Sequence, residues 1–516
     1  MRRLLFVFAA CAIGWITGCS GGGSSTIVPP PASGFNNASL KGTYVFSVTG
    51  TTIDTNLDTD DEFARVGIFI ADGLGDIATT GGIEDVDKFG EPNVFGISGG
   101  SYSINSDGRG TLSIITSGGT VQYSISLSST SSGYMVDMIS DDSETGSGSF
   151  TLQSATTLAT GTYVFDFSGI APDNSGNPTS IVGDFLPDSG TGSGSFSSGS
   201  YEDVNYDGTF TTKAPISGGS FATDNTNPGT GRGLATIGGI DYVYYVIDSQ
   251  HVQFMGIDPD GEAPGTLAGE AVAQQTGVPN QTSAFSNSSF VFVMGGSGEG
   301  EPITRGGRFT ANGGSLTSIL TDYNDGGMVK SIPLANAGNI TLDGDNSGRG
   351  TITYTDSVAS YTWVFYLSSA TQGVIQDDSN DNIIIDGTLL AQTGAPFSSS
   401  SLATNYAFNW SGEDANGEED FVGSFAPAAA SPNGLLDINE FGLQKLYLNN
   451  LFNGVITVGG DGTGSSGTRS TFVAGINGTP SVTLNYFAYI ANPNTILLLG
   501  TNTNRVVAGV LTAQTP

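Results

Sequence analysis

Cysteine, histidine, tryptophan and positive charge are all scarce in this chain. Of 516 residues, 2 are Cys, 1 is His, 3 are Trp and 15 are Lys or Arg, against 49 Asp or Glu. A single histidine excludes multi-histidine metal sites. A net charge of −34 excludes nucleic acid as a partner, because phosphate needs cations to meet it. Both cysteines, Cys11 and Cys19, lie near the N-terminus, so the rest of the chain has no thiol and no disulfide and must rely on packed cores. No helical period runs through the sequence. Leu443 to Phe452 is the one stretch where helix and strand compete.

What is abundant is glycine, with 77 residues, over a chain that is 37% hydrophobic. That fraction is enough for packed cores, and the length suits three or four domains. Four copies of one unit follow from ordered markers. Each unit opens with an aromatic pair, Tyr44/Phe46, Tyr163/Phe165, Phe290/Phe292 and Tyr406/Phe408, followed by Gly50, Gly169, Gly295 and Gly412. Gly-x-Phe comes next, at Gly67/Phe69, Gly183/Phe185, Gly307/Phe309 and Gly423/Phe425. A closing Gly and Gln end each unit, at Gly148/Gln153, Gly269/Gln274, Gly387/Gln392 and Gly509/Gln514.

Within a unit the period is two, in runs such as TYVFSV, GTLSIIT and VQYSISLS separated by Gly, Asn, Asp and Ser. The pattern puts Tyr44, Phe46 and Val48 on one face, and Tyr123, Ile125 and Leu127 on another. About eight short antiparallel strands per unit need closure to avoid raw edges. The expectation is an all-β chain of four tandem units, each an eight-stranded up-and-down barrel, with a β-sandwich as the other solution. The units are read as 39–153, 158–275, 284–393 and 402–516, after a leader at 1–18 and a Gly/Ser/Pro tether at 19–38. By strand count and spacing the units resemble avidin and lipocalin barrels.

The leader carries an address. Arg2 and Arg3 precede the apolar run Leu4 to Trp15, which is too short for a comfortable membrane span, and then comes Ile16-Thr17-Gly18-Cys19. This resembles the lipobox of bacterial lipoproteins. The resemblance implies that Cys19 is lipidated as the mature N-terminus and that the membrane is met through this anchor. Ser20 in place of Asp implies the outer membrane or cell surface in a Gram-negative cell. Tandem Gly/Asp-rich units behind a lipobox also resemble repeat-containing bacterial surface lipoproteins, which implies surface location and no activity.

Five features are candidates for chemistry. Asp-x-Asn/Asp before Gly recurs once per unit, at Asp85/Asp87, Asp203/Asn205/Asp207, Asp322/Asn324 and Asp437/Asn439. Alternate oxygens could ring Ca2+, but the twelfth positions hold Gly96, Ala214, Pro333 and Leu448, so no EF-hand forms. The plain reading is an Asx-turn hairpin. Asp54, Asn56, Asp58 and Asp60 make a second oxygen-rich loop, read as solvated. An Arg recurs in a Gly-rich turn at Arg109, Arg232, Arg349 and Arg469, read as structural and paired with a carboxylate of its own unit. Gly96-Ile97-Ser98-Gly99-Gly100 matches a nucleophile elbow only as a string, since a strand follows it, and His251 sits in a turn with no counterpart in other units. Paired carboxylates mean little among 49 acids. Trp363 and Trp410 read as core rather than as ligand platforms.

The expectation is a non-enzymatic envelope or surface protein for binding, adhesion or structure, with Ca2+ as the one candidate cofactor. Its partner would be a surface glycan, protein or small ligand. A carrier of lipophiles or glycans inside the barrels is the second class, and a secreted polysaccharide-acting enzyme the third. Large side chains filling the barrels would favour a scaffold over a carrier.

Overall fold

A computed structural model describes residues 34–516, except 55–58, 89, 139–143, 173–175, 191, 217, 259–264, 299, 336–337, 380–381, 460–468 and 478–479. The leader, Cys19, Asn56 and Asp58 lie outside the described residues. Four eight-stranded antiparallel barrels follow one another along the chain. In the first, Lys41–Asp54, Thr59–Asp72, Gly82–Lys88, Glu91–Ile104, Arg109–Thr116, Gly119–Leu127, Ser132–Asp137 and Glu144–Leu152 each pair with the next. The first strand pairs with the last from Tyr44↔Leu152 to Thr52↔Glu144, which closes the ring. The fourth barrel, from Tyr406–Asp414 to Arg505–Ala513, closes in the same way.

The middle barrels have the same eight strands, some of them broken. In the second barrel the third strand is split into Ser193–Ser195 and Tyr201–Tyr206, and the fourth into Thr209–Pro215 and Ser220–Thr223. A bridge from Pro187 to Phe196 spans the break. In the third barrel the fourth strand is split into Met328–Ala335 and Gly338–Leu342, and the strand Ser315–Asp325 pairs with both pieces. The stretch where helix and strand compete forms the strand Lys445–Thr457. Among the described residues no helix is long and apolar enough to cross a membrane.

Alternation drives one face of each strand inward, so each barrel encloses its own core. Tyr44, Phe46, Val48, Tyr123, Ile125 and Leu127 are all in the first core, as their period predicts. Trp363 packs edge-to-face on Phe292 in the third, and Trp410 stacks on Phe408 with centroids 4.0 Å apart in the fourth. Each linker adds an apolar side chain to the core that follows it: Phe35, Leu158, Phe285 and Phe397. The recurring glycines let strands approach closely. A Cβ on Gly269 would lie 1.8 Å from the carbonyl oxygen of Asp166 on the facing strand.

Candidate functional site

Apart from Asp207, the Asp-x-Asn/Asp residues form neither an Asx turn nor an oxygen ring. They lie within strands, and period two sends both members of each pair out of the same barrel face into the next barrel. Asp85 accepts from Arg232, at 2.8 Å from Nε and 2.6 Å from Nη2. Asp203 accepts from Arg349, at 2.7 Å from Nε and 2.6 Å from Nη2. Asp322 pairs with Arg469 at 3.0 Å. Asp437 accepts from Arg109 Nη2 at 2.7 Å. Thus each Asp meets the Arg of the following barrel, and the Asp of the fourth meets the Arg of the first. The four barrels therefore close head to tail.

Two further residue sets obey the same cyclic rule. Asn205 Nδ2 donates to the carbonyls of Asp377 and Ile383 in the third barrel. Asn324 donates to Gly500, Asn502 and Arg505 in the fourth, and Asn439 to Asp137 in the first. Asp87 holds the equivalent place in the first barrel. It is buried in the strand Gly82–Lys88, across the ladder from Ala64 and Pro92. The expectation of Asp87 as a turn residue is therefore corrected: it is a strand residue two places from Asp85, and the two share one outward face. A carboxylate there accepts hydrogen bonds and cannot donate as the three asparagines do. The closing glutamines reach forward as well. Gln153 donates to Thr230 and Val246, Gln274 to Ser347 and Leu367, and Gln392 to Ile490. Gln514 then reaches the first barrel, at 2.9 Å from the Asp107 carbonyl and 2.8 Å from that of Leu127.

The arginine expectation is half met. Arg232 also holds Asp224 of its own barrel at 2.7 Å, and Arg349 holds Asp343 at 3.1 Å. Each guanidinium therefore bridges two barrels. Burial opposes its charge, but the hydrogen bonds and attraction of Asp85 outweigh this and hold Arg232 above its ordinary value, as Asp203 does for Arg349. A tyrosine completes three of the latches: Tyr245 on Asp85 at 2.5 Å, Tyr366 on Asp203 at 2.6 Å, and Tyr489 on Asp322. Sequence reasoning misses these tyrosines. The signal is there, because each lies directly across the ladder from the recurring Arg. In the first barrel that place is Ser126, and Ser124 donates to Asp437 at 3.0 Å instead.

Three junctions are also apolar. Val66 and Ile83 meet Val243 and Met255; Val182 meets Val364; Leu320 meets Leu497 and Leu499. The fourth-to-first junction is polar, with Ser126 on the Gly423 carbonyl, Tyr134 on Thr512 and Thr145 on Asp420.

The remaining sequence candidates do not join a site. Asp207 is exposed in a hairpin turn with φ 48°, away from buried Asp203 and Asn205. Ser98 is exposed within the strand Glu91–Ile104, and its hydroxyl donates to the Ile115 carbonyl. His251 begins a strand, with Nδ1 3.0 Å from Asp248. Trp363 and Trp410 are buried core. Among the described residues no group of three His, Cys, Asp or Glu side chains is placed to hold a metal ion.

The ring of barrels surrounds an open cavity of about 1000 Å3, lined by residues of all four barrels. The opening-motif glycines Gly50, Gly169, Gly295 and Gly412 all lie on its wall. So do the carboxylates Glu62, Glu270, Glu301, Asp386, Glu413 and Glu418, while no Lys, Arg or His is among its described lining residues. Burial, and secondly its neighbour Asp386, pushes Asp166 well above the usual carboxylate range, and burial pushes Asp386 up to about 6. Glu418 is raised by burial and then by Asp420, and Asp420 is pushed up to about 6 by burial.

No protein-family model and no curated protein matches the chain. Among solved structures, transferrin binding protein B of Haemophilus parasuis is 10% identical, with 74% of this chain and 83% of that chain covered and a TM-score of 0.19. The isotype 1 protein of serogroup B Neisseria meningitidis is 9% identical, with 74% and 84% covered and a TM-score of 0.20. A putative AttH from Nitrosomonas europaea is 10% identical, with 72% and 99% covered and a TM-score of 0.14. Scores this low carry no inference about function.

Proposed function

We propose that the protein is an exported, lipid-anchored, non-enzymatic binding scaffold of the cell envelope. Its barrels are structural blocks, and its ligand enters the shared central cavity. One observation carries this reading: aromatic and aliphatic side chains fill the four barrel interiors, while the space between barrels is open and bordered by six carboxylates. A carrier of the lipocalin kind needs the reverse. The four Asp–Arg latches hold the wall rather than a cation, so calcium has no assigned place in it.

The test uses the scarcity of thiols. In a Cys11→Ser, Cys19→Ser background, which removes both native thiols, Ser411→Cys places a single thiol on the cavity wall. A small maleimide should label it in the folded chain. Refusal to label until the chain unfolds would remove the cavity as a binding site. The anchor is tested separately: labelled palmitate should enter the wild-type chain and not the Cys19→Ser chain.

A further inference from the structure

We propose that the cavity binds a linear organic polycation, an alkyl chain carrying two or more ammonium groups, held between carboxylates on opposite walls. This rests on the reading of the cavity as the binding site and adds the class of ligand.

The charge on the wall is one-signed. Six carboxylates line the space with no cationic side chain among its described lining residues. Two of them belong to close acidic pairs. Asp386 faces Asp166 where the third barrel meets the second, and Glu418 faces Asp420 where the fourth meets the first. In a closed ring of four, those two junctions are opposite each other. Carboxylates brought together without a cation are costly, and a fold retains them most readily where a cation arrives.

An unpartnered polar group gives a second, independent indication. Thr304 lines the cavity, is 5% exposed, and its hydroxyl has no hydrogen-bond partner. Ile303 beside it is in the barrel core, so Thr304 points outward to the cavity. Buried polar groups are normally satisfied, so this hydroxyl awaits a partner.

The spacing selects the class. No three acidic side chains among the described residues converge to cage a bare ion, and about 1000 Å3 suits an organic ligand. Separated ammonium groups match separated carboxylate pairs. Ile170, half-buried on the wall, can cover methylenes between them.

Calorimetry of the full chain with Cys19→Ser tests this, using spermidine, then CaCl2 and MgCl2, at fixed near-physiological ionic strength. Spermidine should give saturable heat at one site. Asp386→Asn and Glu418→Gln should each weaken it by about tenfold, the value of one charge-assisted contact. Glu91→Gln, on an exposed strand outside the cavity, should leave it unchanged. No heat, equal loss in Glu91→Gln, or complete displacement of spermidine by an equal concentration of calcium would each overturn the proposal. Should either carboxylate variant misfold, the maleimide-blocked Ser411→Cys chain replaces it and should lose spermidine binding. A cavity that accepts maleimide but not spermidine refutes the ligand class alone. One that accepts neither refutes the cavity reading itself.

Discussion

Asp203 receives two guanidinium nitrogens and a tyrosine hydroxyl while fully buried. Asp203→Ala leaves Arg349 charged and buried without its main partner, a loss of about 3–5 kcal/mol. Urea unfolding should show this as a lower midpoint. The double variant Asp203→Ala, Arg349→Met should lose less than the two single losses summed, because they share one interaction. Asp437→Ala should cost less than Asp203→Ala, since Asp437 takes a single guanidinium nitrogen and no tyrosine. The buried carboxylates at two of the junctions act with the opposite sign. Asp386 and Asp420 are raised to about 6 in the folded chain, from about 4 unfolded. Their stabilising effect is complete below the unfolded value and is lost as pH rises through about 6. Melting temperature should therefore rise as pH falls from about 7.5 to about 5, and Asp386→Asn should flatten that rise. Below about 4 the trend should reverse as paired carboxylates titrate. Burial raises Asp345, but hydrogen bonds from Lys213 and Ser347 hold it at about 2.

At the scale of strands, the sequence and the structure agree where period two is unbroken. Tyr44-x-Phe46-x-Val48 is enough to orient a strand, because a one-residue slip would turn all three outward. The breaks in the third and fourth strands of the middle barrels are not legible, since Gly and Ser mark bulges and turns alike. Asp-x-Asn before Gly reads as a turn for the same reason: the local string suits a turn, while its partner lies 146 residues away in the latch of Asp203 and Arg349. Asp85-x-Asp87 misleads in the same way, because two carboxylates two places apart suit a cation loop as well as one face of a strand. The closing glycine has a plain test. Gly269→Ala drives a Cβ into backbone 1.8 Å away, and overpacking of this kind costs about 1–3 kcal/mol. A lower thermal midpoint with unchanged strand content by circular dichroism is the expected result.

At the scale of the molecule, the equal spacing of motifs is visible in the sequence and the ring is not. Nothing in a string shows that Arg109 meets Asp437 across 328 residues. A hint is present in the first barrel. Ser124 and Ser126 stand where the second has Val243 and Tyr245, so one docking face of the four is polar. That junction is also the one no linker crosses. Asp437→Ala with Gln514→Ala should open it alone, raising the radius of gyration in solution scattering with near-unchanged strand signal. Deuterium exchange should be fastest there in the wild-type chain as well. The latch between last and first barrel is made of the same two complementary faces as the internal ones, and a head-to-tail contact of this sort can be satisfied within a chain or between chains. Closure is then a competition between a chain's own tail and a neighbour's, governed by effective concentration. The chain covers its own two complementary end faces, and at high concentration, with that clasp loosened, the same faces would join one chain to the next as the repeat of a filament.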